Sequence, residues 1–186
     1  MKRVLAALFS VIAVTILIAG CSRTESTEAT APAAETTSEA AEKSSGADTV
    51  SSASIVDTVA GLVKAASEDG TWIIALTGDL ESSQEIVLDG EFVHRDEIYR
   101  KLALYAQDEE RNITARYTLT APRLVVGSEN ARIQGGTFKG DVYVRADKFH
   151  IYDGVVDGDV IFAEEAFKSS FSLQEGGKVT GSLRVE

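Results

Sequence analysis

The chain has 186 residues, 18 basic against 29 acidic, a formal net charge of −11 and a single cysteine. That length suits one ordinary domain with additional sequence, or two very small domains. The acidic balance argues against a nucleic-acid partner, which requires a basic face, and one cysteine excludes both an intrachain disulfide framework and a cysteine-rich zinc site.

Lys2 and Arg3 precede an apolar run over 4–18 that only Ser10 and Thr15 interrupt. A positive start, an apolar stretch of this length and small residues after it describe an export signal. The run is short for a lasting membrane span, and no basic stop-transfer flank follows it. Its ending, Ile18-Ala19-Gly20-Cys21, resembles the bacterial lipoprotein box. The resemblance implies cleavage between Gly20 and Cys21, a diacylglyceryl group on the Cys21 thiol and, often, an acylated new amino terminus. Two or more acyl chains, at about 0.8 kcal/mol per buried methylene, suffice for stable anchoring. The expected location is therefore the extracytoplasmic face of a cell membrane, which is the cell surface in a Gram-positive organism. An ordinary secretory signal with a chance cysteine is the alternative.

Residues 21–53 continue with Ser, Thr, Ala and Glu and hold no aromatic residue. Such a composition cannot bury enough surface to offset its ordering entropy, so a disordered tether is expected. As a coil it would hold its ends about 30 Å apart, and about 110 Å when stretched.

The remaining 54–186 read as a folded head. Ile55, Val56, Val59, Leu62, Val63 and Ala66 follow a helical period, with Ser54 as N-cap and Gly70 where the chain must turn away. From Gly70 onward the period is two. Strands are expected over 72–76, 85–92, 101–106, 115–120 and 123–126, the last directly after Pro122. Three later stretches then align on Ile133, Ile151 and Leu173, with second glycines at Gly140, Gly158 and Gly181, spaced 18 and then 23 residues apart. That spacing is one coil of a β-solenoid, in which each coil offers apolar columns that only a neighbouring coil can bury. The expected inward columns are Phe138–Val156–Val179, Val142–Val160–Leu183 and Val144–Phe162–Val185. Glycine is expected at the corners for its left-handed backbone, and Asp141, Asp159 and Ser182 as local caps of corner amides.

The fold expected is therefore all-β: a right-handed parallel β-helix of about five coils, 111–129 and 71–92 supplying the irregular early ones, with the opening helix as a cap. The Gly-x-Val-x-Gly-Asp-Val type of repeat resembles the β-helix of the bactofilins, the polymer-forming bacterial cytoskeletal proteins, over about 133–185. More broadly it is similar to pectate-lyase-like β-helix proteins, and the whole head to a group of uncharacterised Gram-positive lipoproteins. Export and the opening helix depart from the bactofilin pattern. An antiparallel sandwich or meander is the competing architecture.

Chemistry is sparse. His94 lies in a polar turn and reads as an exposed loop residue; His150 would point outward from a strand. No phosphate-cradling loop precedes a helix, and no glycine-flanked nucleophile is present. Asp153, Asp157 and Asp159 could give calcium some of its six to eight oxygens, but they match no calcium-loop pattern and read first as corner aspartates. Arg132, Lys139 and Arg145 lie near them, as a polysaccharide lyase would need, without a defined acid–base pair. Tyr105, Tyr117, Tyr143 and Tyr152 could line a stacking face for sugars. No cofactor is expected. The leading expectation is a non-catalytic structural or binding module of the cell envelope. Its C-terminal coil, through Leu183 and Val185, is an open edge for self-association into a two-fold dimer. A carbohydrate-active enzyme or a binder of cell-wall glycan is the second expectation, and an envelope protein is a further candidate partner.

Overall fold

The computed structural model describes residues 53–186. The chain opens with β1 (Ala53–Val56), α1 (Val59–Ala66) and β2 (Ile73–Leu76), then the short β3 (Leu80–Glu81) and β4 (Ile86–Leu88). A hairpin of β5 (Val93–His94) and β6 (Glu97–Ile98) follows, then β7 (Arg100–Ala103) and a second hairpin of β8 (Tyr105–Gln107) and β9 (Ile113–Arg116). Next come β10 (Thr118–Val126), β11 (Ala131–Gln134), β12 (Thr137–Val144), β13 (His150–Tyr152), β14 (Val155–Asp157) and β15 (Val160–Phe162). α2 (Glu165–Ser170) then precedes β16 (Ser172–Gln174), β17 (Lys178–Val179) and β18 (Leu183–Val185).

The fold is mostly β, and its two main sheets are parallel throughout, which rules out the antiparallel sandwich or meander. The first sheet runs β1-β2-β7-β11-β13-β16. In the second, β3 and β4 pair with the long β10, β10 with β12, β14 and β15 with β12, and β17 and β18 with β14 and β15. From β11 onward each pass of the chain adds to the first sheet and then to the second.

The register explains why these residues form these strands. Leu80, Leu119, Phe138, Val156 and Val179 stand in one column, and Ile86, Leu124, Val142, Val160 and Leu183 in another. Leu88, Val126, Val144, Phe162 and Val185 make the third. All three expected columns are present and extend two layers further toward the N-terminus. The first sheet answers with Ile74, Leu102, Ile133, Ile151 and Leu173. The middle members are fully buried, at about 1.5–3 kcal/mol for each large side chain.

The start of the head differs from the helical reading. Ser54 is not an N-cap but part of β1, where the Thr71 hydroxyl donates to its Oγ and accepts from its amide. The helix begins after Thr58, whose Oγ1 accepts the Gly61 amide at 3.2 Å. Ile55, counted on the apolar helix face, is 69% exposed because alternation in β1 turns it away from Val56. α1 still buries Leu62, Ala65 and Ala66, and it packs on β1, β2 and β4, the first strands of both sheets. Arg100 fastens its far end. This guanidinium is wholly buried, lies 3.9 Å from the Phe92 ring centroid, and donates through Nη2 to the carbonyls of Ala65 and Ser67 at 2.7 and 3.0 Å.

Three further corrections concern the middle and end. The expected strand over 101–106 is two strands split at the buried Leu104, and only β7 belongs to the first sheet. The expected coil over 111–129 begins as the outer arm of an antiparallel hairpin and joins the second sheet only from Thr118. The longer third repeat holds α2, and the Phe171 that follows it stacks on Phe149 at 5.7 Å and lies tilted against Phe162 at 5.3 Å.

The corners also work differently from expectation. Gly140 has the positive φ, 136°, but Gly158 and Gly181 do not. Those two are glycine because a Cβ would run into the carbonyl of the glycine one layer before, Gly140 and Gly158 respectively. The aspartates likewise cap between layers rather than locally. Asp141 Oδ1 accepts the Asp159 amide at 3.0 Å, and Asp159 Oδ1 accepts the Ser182 amide at 2.8 Å.

Candidate functional site

Among the described residues the layer of β16, β17 and β18 is paired on one side only. Ser172, Lys178, Thr180 and Glu186 donate their amides to Phe149, Gly154, Val156 and Phe162 of the preceding layer. Strand alternation turns the amides of Leu173, Val179, Leu183 and Val185 the other way. The side chains that end the apolar columns are uncovered there: Leu173 is 47% and Leu183 42% exposed, against 0% for Ile151 and Val160 in the same columns. Val185 is half-buried and packs on the core. Leu183 and Val185, the residues expected at the edge, lie in β18, which pairs with β15.

The three singled-out aspartates each have separate partners. Asp153 receives Arg116, whose Nη2 donates to its Oδ2 at 2.8 Å while Nη1 bonds the carbonyls of Gly135 and Asp153. Asp157 Oδ1 accepts the Thr180 hydroxyl at 2.8 Å. Asp159 holds the Ser182 amide, with Arg184 3.9 Å from its other oxygen; the Ser182 bonds first, then Arg184, hold its carboxyl below the usual range. Among the described residues no three His, Cys, Asp or Glu side chains converge as a metal would need. Of the nearby cations, Arg145 pairs with Asp89 and Lys139 stands opposite Asp157 in register.

The four tyrosines do not share a face. Tyr143 lies in the second sheet and donates to Glu186 at 2.7 Å, and Tyr117 is half-buried and packs in part against the core. Tyr105 and Tyr152 do stand on the outer side of the first sheet. The histidine readings also change. His94 is not a free loop residue: its ring stacks on Trp72 at 3.9 Å and 17°, with Tyr99 5.6 Å from Trp72. His150 is on the outer face but half-buried, between Ser172 Oγ at 2.7 Å and Asn130 Oδ1 at 3.1 Å. Burial, and then the charges of Arg132 and Lys148, push its pKa down.

The outer face of the first sheet holds what sequence reasoning missed. Ile73, Lys101, Arg132, His150 and Ser172 form one outward row. Ala75, Ala103, Gln134, Tyr152 and Gln174 form the next, and neither row contains an acid. The Arg132 guanidinium sits 4.8 Å from the Tyr152 ring and 5.4 Å from the Tyr99 ring. The repeat alignment contained a signal for this: Arg132 and His150 each precede an aligned isoleucine.

Gly20 and Cys21, with the cleavage and lipidation expected there, lie outside the described residues. Among those described, no helix is long and apolar enough to cross a membrane. Comparison of the chain with models of protein families, with characterised proteins and with solved structures found no match.

Proposed function

We propose that this chain is an exported lipoprotein, anchored by acyl chains on Cys21, whose head is a right-handed parallel β-helix acting as a non-catalytic module of the cell envelope. The head associates with a second copy through the layer of β16, β17 and β18. One observation carries the association: apolar columns buried in every middle layer end uncovered at Leu173 and Leu183, beside outward-turned amides. Such an edge is a template for another strand. At the opposite end α1 lies over the first strands of both sheets, so a closed two-fold pair is favoured over an open filament. The anchor rests on the charged start, the apolar run and the Ile18-Ala19-Gly20-Cys21 box.

Light scattering on residues 53–186 tests the association. The expected result is a dimer that dissociates on dilution, and a monomer for Leu183→Asp with unchanged circular dichroism. A wild-type monomer at millimolar concentration would overturn it. For the anchor, the expected result is a mature chain that begins at Cys21 and carries acyl mass, with Cys21→Ser released from membranes. An unmodified cysteine would overturn that part.

A further inference from the structure

Next to Arg132, the outer face of the first sheet becomes an apolar groove. Its floor is Ile55, Ile73, Ala75 and Ala103, and Tyr105 and Tyr117 stand at its side. The volume, about 350 Å³, falls in the range of small-molecule sites. The small side chains of Ala75 and Ala103 create the depression, with Tyr105 on β8 and Tyr117 directly after β9 at its side. Lys101 lies at the lip, where its Nζ donates to Tyr105 Oη at 2.7 Å.

The charge beside the groove is unusual for so acidic a chain. Lys101 and Arg132 are register neighbours on adjacent strands, whose backbones run about 4.8 Å apart. Neither is among the ion pairs of the described residues, which join Arg116, Arg145, Lys148 and Arg184 to carboxylates. Arg132 Nε is buried and has no hydrogen-bond partner among the described residues. Its guanidinium is held in place by the Tyr99 and Tyr152 rings rather than by an acid. A fixed, weakly hydrated guanidinium next to an ammonium suits a carboxylate, which can accept from both.

We propose that this face binds a medium-chain fatty carboxylate, its head on Lys101 and Arg132 and its tail along Ile73, Ala75 and Ala103 under Tyr105. Charge complementarity selects the head, and the lining, apolar apart from Thr77, Gln107 and Lys101, selects a hydrocarbon tail over a sugar or a free anion. The site is independent of the association through β18, so either can fail without the other.

The test uses the full chain in phosphatidylcholine nanodiscs and decanoate carrying a diazirine at its tail end, with photolabelled residues mapped by mass spectrometry. The expected labels fall at Ile73, Ala75, Ala103, Tyr105 or Tyr117. Decanoate competes, whereas decanol and acetate compete at least tenfold less well. Arg132→Gln and Lys101→Gln each reduce labelling at least fivefold, and Ala75→Leu, which fills the groove, abolishes it; circular dichroism verifies that each variant is folded. Labels elsewhere on the chain would overturn the proposal. So would equal competition by decanol, which would make the cations irrelevant, or by acetate, which would make the groove irrelevant. Undiminished labelling of both folded charge variants would overturn it as well.

Discussion

Removing Arg100 tests how the covered end of the molecule is built. Its Nη2 bonds two carbonyls at the end of α1, its stem fills space with no solvent exposure, and its guanidinium lies on Phe92. Burial lowers its pKa to about 10, so it remains charged at neutral pH. Arg100→Ala leaves the Ala65 and Ser67 carbonyls without this donor and opens a cavity, a loss of about 3–5 kcal/mol by analogy with broken buried charge contacts. Arg100→Met should cost about 2 kcal/mol less than Arg100→Ala, because it keeps most of the stem volume and so leaves a smaller cavity. Among the described residues its Nε and Nη1 are buried with no hydrogen-bond partner, and their removal offsets part of the loss equally in both variants. Urea unfolding of residues 53–186, followed by the fluorescence of the single tryptophan, Trp72, measures both. A loosened α1 also exposes the first strands, so Arg100→Ala should form species larger than a dimer. A loss under about 1 kcal/mol for Arg100→Ala would refute the reasoning, since an orphaned buried carbonyl alone exceeds that.

Gly158→Ala should destabilise the head by about 1–3 kcal/mol in the same urea assay, because its Cβ meets the Gly140 carbonyl. Gly78→Ala, which meets nothing within 4 Å, should be neutral or stabilising by up to about 1 kcal/mol. The depressed pKa of His150 means that the folded state binds fewer protons than the unfolded one just below the ordinary value of 6.5. Stability should therefore fall as pH drops through that window, and His150→Gln should flatten the melting temperature between pH 7.5 and pH 5. Asp159 has the analogous sign at lower pH, its contribution present above the ordinary carboxylate value of 3.8 and fading below it. Asp159→Ala should speed exchange of the Ser182 amide, which loses its acceptor.

The apolar columns were legible because the period-two alternation and the repeat spacing act together. Once Ile133, Ile151 and Leu173 are aligned, Val142, Val160 and Leu183 must fall in one column. The opening helix was placed too early because Ile55 and Val56 satisfy a helical period and a strand equally well over so few residues. What decided it was a partner twenty residues on, the strand at Ile73–Leu76. Gly158 and Asp159 were recognised as corner residues for the wrong reason, since close stacking and amide capping between layers leave no trace in local sequence. Arg100 was illegible for the same cause, and Arg132 was noticed only as a cation near the aspartates, not for its place on the outer face. One turns inward and the other outward, on adjacent strands one register position apart, and nothing in the composition of either strand separates them.

Hydrogen exchange of the head at several concentrations reads the proposed association amide by amide. The amides of Leu173, Val179, Leu183 and Val185 should gain protection as concentration rises, while those of the β5–β6 hairpin do not change. Leu183→Asp should erase the gain. Exchange of β16–β18 that is independent of concentration, or protection that appears on another face, would contradict it.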